Sequence, residues 1–199
     1  MGQIIGITGG IASGKSTVSL YLQELGFTIV DADLASRAVV EPGEEAYHQV
    51  VKAFGEDILL TDGNIDRVKL GSIIFNDQEK RLLLNGIVHP AVRNWMRLKT
   101  EAALSSGEET VFMDIPLLFE SKLTFMVDKT LLIYVDEQVQ LKRLMNRNGL
   151  SETEALARIN SQMPLADKKA LADAVIDNNG DINETKRQVK AILSEWYVI

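Results

Sequence analysis

The chain has 199 residues, 46% hydrophobic and 25% charged, with 21 Lys plus Arg against 28 Asp plus Glu and a net charge of −7 with His neutral. A chain of this length buries roughly 70% of its unfolded surface and needs no covalent staple, and its acidic balance repels nucleic-acid backbones on average, so no nucleic-acid partner is expected. The absence of cysteine excludes disulfides, thiolate metal sites and cysteine nucleophiles and fits a reducing, cytoplasmic setting.

Gln3 to Thr8 is a short apolar run ending in Gly9-Gly10, and reads as a buried strand. Ser16 to Leu25 follows with helical spacing through Val18, Leu20, Tyr21, Leu22 and Leu25 until Gly26 stops it. Phe27 to Val30 is a second strand, closed by Asp31-Ala32-Asp33. Roughly 75 residues then show helical periodicity and no strand, through 46–54, 69–74, 79–88 and 91–104, with Pro90 starting the last helix. Strands at Thr110 to Ile115, Thr130 to Val135 and Ala174 to Ile176 complete the set, with a helix from Glu137 to Asn148 and a closing helix from Asp181 to Trp196. Between the last two strands, Leu150 to Leu171 opens on Ser151-Glu152-Thr153-Glu154, a capping-box pattern.

The strands are apolar throughout rather than alternating, as parallel strands covered on both faces are. The expected architecture is therefore α/β, a five-stranded parallel sheet with helices on both faces. Its core comprises 1–40, 108–149 and 172–199, with a helical insertion at 41–107 and a small lid at 150–171. No apolar run approaches the length of a membrane span, and the first residues show no basic stretch leading into an apolar signal region, so neither membrane association nor a leader is expected.

The chemistry concentrates after the first strand. Gly9-Gly10-Ile11-Ala12-Ser13-Gly14-Lys15-Ser16 satisfies G-x-x-x-x-G-K-[ST] between a strand and a helix. Glycines let successive N–H groups turn around phosphate oxygens, and the following helix adds its positive end. In this reading residues 10 to 17, that is Gly10, Ile11, Ala12, Ser13, Gly14, Lys15, Ser16 and Thr17, bind the phosphates of a nucleotide. Lys15 neutralises the β- and γ-phosphates, Ser16 ligates Mg²⁺ and Thr17 reaches an α-phosphate oxygen.

Several nucleotide-using classes share that loop. A GTP switch needs a late Asn-Lys-x-Asp string, which is absent. A motor ATPase needs an apolar strand ending in acids; Asp136-Glu137 imitates this, but Asp136 precedes a helix and reads as its N-cap. Asp33 stands at the end of the second strand, with Arg37 four residues on along the same helix face. That is a place for a carboxylate that takes a hydroxyl proton and an arginine that holds an acceptor, although Asp31 or Asp33 also fits a helix cap. Arg143 and Arg147 share a helix face and suit charge stabilisation over a nucleotide, as does Arg158 on the following helix; a solvated face is the alternative. Asp177-Asn178-Asn179-Gly180 forms a turn at the same sheet edge, where Asn178 can lie near a base. His89 before Pro90, and the apolar string Asp114-Ile115-Pro116-Leu117-Leu118-Phe119-Glu120, suit either an acceptor wall or plain packing.

Together these residues resemble the dephospho-coenzyme A kinase family over essentially the whole chain. The resemblance rests on Thr8 to Thr17, Asp31-Ala32-Asp33 with Arg37, His89-Pro90, Pro116-Leu117-Leu118-Phe119-Glu120, Gln140 with Arg143 and Arg147, Gln162, and Ile176-Asp177-Asn178. Ala12 departs from the glycine the family commonly carries there. The resemblance implies a P-loop, nucleoside-monophosphate-kinase-like fold and ATP- and Mg²⁺-dependent phosphorylation of the ribose 3′-hydroxyl of dephospho-CoA. Within it Lys15, Asp33 and Arg143 are catalytic, Arg147 and Asn178 lie on the nucleotide, and Asp33, Arg37, His89, Pro116 and Leu117 hold the acceptor. A monomer or weak homo-oligomer is expected. The residues alone reach only as far as an ATP-dependent small-molecule kinase, leaving a nucleoside or nucleoside-monophosphate kinase, and a nucleotide-binding switch, as the alternatives.

Overall fold

The computed structural model describes residues 2–75 and 77–199. Five strands, β1 (Gln3–Gly9), β2 (Thr28–Asp31), β3 (Thr110–Asp114), β4 (Lys129–Tyr134) and β5 (Ala174–Asp177), form one sheet in the order β2-β3-β1-β4-β5. The β1–β3, β1–β4 and β4–β5 pairs are parallel, with Ile5 opposite Phe112 on one side and Lys129 on the other. Since β1 is central and the chain leaves it in one direction for β2 and β3 and later in the other for β4 and β5, the crevice beyond its carboxyl end is the topological switch point. Ligands of open parallel sheets bind there.

The chain divides into two compact units, one of residues up to Val30 together with Thr100–Ile199, the other Asp31–Lys99. In the first, Ile5, Ile7, Phe112, Leu131, Ile133 and Ile176 of the sheet pack with Val18 and Leu22 of α1 (Lys15–Glu24) and with Val189 and Leu193 of α9 (Ile182–Glu195). Burying one such side chain contributes about 1.5–3 kcal/mol, which is why these strands are apolar without alternation. Leu132 and Val135 instead pack with Leu165 of α8 (Leu165–Lys169), a short helix the sequence reading does not single out. Gly6 in β1 has space for Leu118 and Val127, whose methyl groups lie 3.1 Å from where its Cβ would stand.

The second unit has its own core, Val50, Ile58, Ile65 and Leu70, lined by Tyr47, Phe54, Ile73, Ile74 and Leu84. It holds α2 (Ala32–Ala38), α3 (Glu45–Phe54), α4 (Arg67–Phe75) and most of α5 (Gln78–Ser105). One expectation is corrected here: Pro90 does not begin a helix but lies inside the single helix α5. Interior proline removes the hydrogen bond to the carbonyl four residues back. That carbonyl belongs to Gly86, which is exposed, as is Pro90, so water can serve it. Among the described residues no helix is long and apolar enough to cross a membrane.

Candidate active site

The phosphate loop leaves β1 at Gly9 and enters α1 at Lys15. Gly14, the N-cap, has φ +91° and contributes no side chain, and no acid stands in the first turn of α1. Elsewhere in the chain Asp31, Ser151 and Asp181 cap α2, α7 (Glu152–Ile159) and α9 with their own oxygens. The first N–H groups of α1 are thus left for an outside anion. The Ser13 hydroxyl, buried without a hydrogen-bond partner, fits a phosphate, and Gly14 is packed so closely that a Cβ there would collide with the Asn178 amide. Ala12 also lies in the left-handed region, at φ +59°. A glycine would hold that conformation without strain, and the alanine methyl instead packs with Leu144, Ala155 and Ile159.

Lys15 is ion-paired to Asp114, the last residue of β3, which is 3% exposed. The other oxygen of Asp114 accepts from the Ser19 hydroxyl at 2.7 Å. Sequence reasoning missed this acid, although its position was a usable signal: it ends the strand itself, whereas Asp136 falls two residues beyond β4. Asp136 does occupy the N-cap position of α6 (Glu137–Asn148), but it makes no side-chain cap bond. Its carboxylate accepts from the Tyr134 hydroxyl at 3.0 Å, and this contact raises the tyrosine pKa above its ordinary value of 10.0.

Of the apolar string after Asp114, Leu118 and Phe119 are core and Leu117 is 41% exposed. The Pro116 carbonyl accepts from Thr8 Oγ1 at 3.1 Å, which fixes the turn beside the loop. Arg143 on α6 comes to the loop: its Nη1 is 4.0 Å from the point a Gly14 Cβ would occupy. Arg147 is exposed and donates to Asn148 at 2.9 Å. Asn178 is tied to the loop: its amide nitrogen donates to the Ser13 carbonyl at 2.7 Å and its oxygen accepts from Thr185 at 2.8 Å. The 150–171 segment is docked on the loop. Gln162 Oε1 accepts from the Ile11 N–H at 2.8 Å, Lys168 Nζ donates to the Gly9 carbonyl at 2.9 Å, and Ile159 of α7 packs beside Ile11.

In the helical unit Asp31, not Asp33, caps α2, accepting from the Asp33 and Leu34 N–H groups at 2.6 and 3.1 Å. That leaves the exposed Asp33 carboxylate free of the capping duty, with Arg37 in the last turn of the same helix. His89 is exposed on α5.

No set of three or more His, Cys, Asp or Glu that could hold a metal occurs among the described residues. Mg²⁺ is usually bound through few protein oxygens and the substrate phosphates, and the Ser16 hydroxyl, exposed in the first turn of α1, is a donor of that kind.

Fold and loop place the molecule among the P-loop kinases of small molecules. The chain matches the family described as Dephospho-CoA kinase over residues 3–184. The Dephospho-CoA kinase of Geobacillus kaustophilus is 62% identical over 192 residues, 96% of each chain, and that of Oceanobacillus iheyensis is 57% identical over 195 residues, 98% of each. The solved structure of the dephospho-CoA kinase from Campylobacter jejuni has a TM-score of 0.75 at 30% identity, covering 98% of this chain and 97% of that one. This chain belongs to the dephospho-CoA kinase family.

Proposed function

We propose that the chain transfers the γ-phosphoryl group of ATP to the ribose 3′-hydroxyl of dephospho-CoA, giving CoA and ADP, the last step of coenzyme A synthesis. The observation that carries this is the phosphate loop, with Lys15 held against a buried acid, in a member of that family. The hydroxyl oxygen bonds to the γ-phosphorus as the bond to the β,γ-bridging oxygen breaks, and the hydroxyl proton passes to Asp33. Lys15 exchanges Asp114 for the β- and γ-phosphates when ATP arrives. Residues 10–17, apart from the Ile11 N–H that is bonded to Gln162, supply N–H and hydroxyl donors to the phosphates, and Arg143 meets the charge that spreads over the equatorial oxygens. Ser16 would hold Mg²⁺, which would supply neutralisation of the phosphate charge.

Arg147 and Asn178 belong to the nucleotide side of this reading. Arg37, His89, Pro116 and Leu117 belong to the acceptor, with 41–107 as the acceptor-binding insertion and 150–171 as the cover over the nucleotide. A cytoplasmic location and a monomer or weak homo-oligomer go with it. Incubation with Mg-ATP and dephospho-CoA, read by mass, is expected to add one phosphate at about 1–100 turnovers per second. Faster phosphorylation of any member of a panel of nucleosides and nucleoside monophosphates overturns the acceptor assignment, and ATP hydrolysis at the same rate without acceptor overturns the kinase.

A further inference from the structure

Three buried side chains from three separate places in the fold each donate to a carbonyl of the phosphate loop, and the carbonyls alternate. Lys168 Nζ on α8 donates to Gly9 O at 2.9 Å, Gln140 Nε2 on α6 to Ile11 O at 2.8 Å, and Asn178 Nδ2 after β5 to Ser13 O at 2.7 Å. Their exposures are 0%, 5% and 7%, so these bonds are shielded from competing water. The Ile11 N–H is also drawn outward, to Gln162.

A trans peptide is planar, with its N–H and C=O pointing opposite ways. Pulling the Gly9, Ile11 and Ser13 carbonyls outward therefore turns the N–H groups of Gly10, Ala12 and Gly14 away from those three side chains. We propose that Lys168, Gln140 and Asn178 are positioning residues that set the inward direction of these phosphate-binding N–H groups before any nucleotide arrives. The local chain does not favour this arrangement by itself, since Ala12 is held at φ +59°. Preset donors bind an anion without spending affinity on ordering them. Lys168 is compensated rather than a free cation: Glu120 Oε1 lies 2.7 Å from it, and the same oxygen accepts from the Met163 N–H at 3.2 Å. It acts on phosphate through the Gly9 peptide. Gly10 is tied to the same device, because a Cβ there would come within 2.8 Å of Gln140 Nε2.

The inference rests on the loop binding phosphate, and its test needs no acceptor. ADP and adenosine affinities are measured by titration for wild type, Gln140→Met, and Lys168→Met combined with Glu120→Gln, the pair that strands no buried charge. Each variant's melting temperature is recorded. ADP binding is expected to weaken about tenfold for Gln140→Met and about 10- to 100-fold for the pair, as loss of a neutral and a charged hydrogen bond predicts, with adenosine binding unchanged. Equal weakening of ADP and adenosine, or wild-type ADP affinity in a folded Gln140→Met, overturns the proposal. Should the paired variant not fold, Gln140→Met decides alone. A wild-type protein that binds ADP but forms no CoA overturns the acceptor reading and not this one.

Discussion

Asp31 and Asp33 stand two residues apart and carry different burdens. The Asp31 carboxylate is spent on two N–H groups of α2, while Asp33 sits in the first turn with its carboxylate free of that task. Asp31→Ala is expected to cost about 1 kcal/mol of stability, as loss of an N-cap does, and to leave turnover largely intact. Asp33→Asn is expected to lower kcat by about 10²–10⁴, as removal of a general base does, and to change stability by no more than about 1 kcal/mol, its share of the helix-dipole interaction. Chemical denaturation and steady-state kinetics on the two variants read both quantities, and a reversal of the pattern would remove Asp33 from the reaction. The ground-state partner of Lys15 sharpens the same division, since Asp114 keeps the lysine in place without consuming the loop's N–H groups.

At the scale of single elements, helix starts separate folding from function. The Ser151 capping box at α7 is complete: the Glu154 N–H donates to the Ser151 hydroxyl oxygen, and the Ser151 hydroxyl and N–H donate to the Glu154 carboxylate at 2.6 and 2.9 Å. Those two bonds, the hydroxyl first, hold Glu154 below its ordinary pKa of 4.5. Because the folded value is depressed, the stabilisation is present above the ordinary value and is lost as pH falls through the folded one. Ser151→Ala is expected to cost about 1 kcal/mol near neutral pH, and the gap in melting temperature from wild type is expected to narrow in acid, below 4.5. A gap that stays constant across that range would mean the carboxylate has no part in the cap. Helix α1 follows the opposite rule, with its glycine N-cap and no acid in its first turn leaving its donors to a ligand.

For the whole molecule, a sheet ordered β2-β3-β1-β4-β5 puts both neighbours of β1 at the loop, so residues of β3, α6, α8 and the β5 turn meet around it. A ligand gripped there stabilises the first unit by mass action. ADP at one hundred times its dissociation constant is worth about 2.7 kcal/mol, or a rise in Tm of about 5–10 °C for a chain of this size. Gly14→Ala is expected to abolish that rise, because the methyl group would strike the Asn178 amide and the backbone sits at φ +91°. A thermal shift equal to wild type in that variant would show that the loop does not hold the phosphates.

Much of this was legible in the chain itself. Five apolar runs marked five strands, the glycine-lysine string marked the loop, and Ser151 through Glu154 marked a helix start, because each is a local pattern whose physics spans only a few residues. The local patterns did not by themselves establish which acid meets Lys15. Asp114 and Asp136 both stand near the carboxyl end of an apolar run, a position that marks Asp114 as a candidate, but only the folded chain shows that Asp114 pairs with Lys15 while Asp136 accepts from Tyr134. Nor could it reveal the outward hold on the loop carbonyls, whose donors lie 129, 159 and 165 residues away along the chain. Such contacts are products of strand order and helix docking, which bring distant side chains to one peptide at a time.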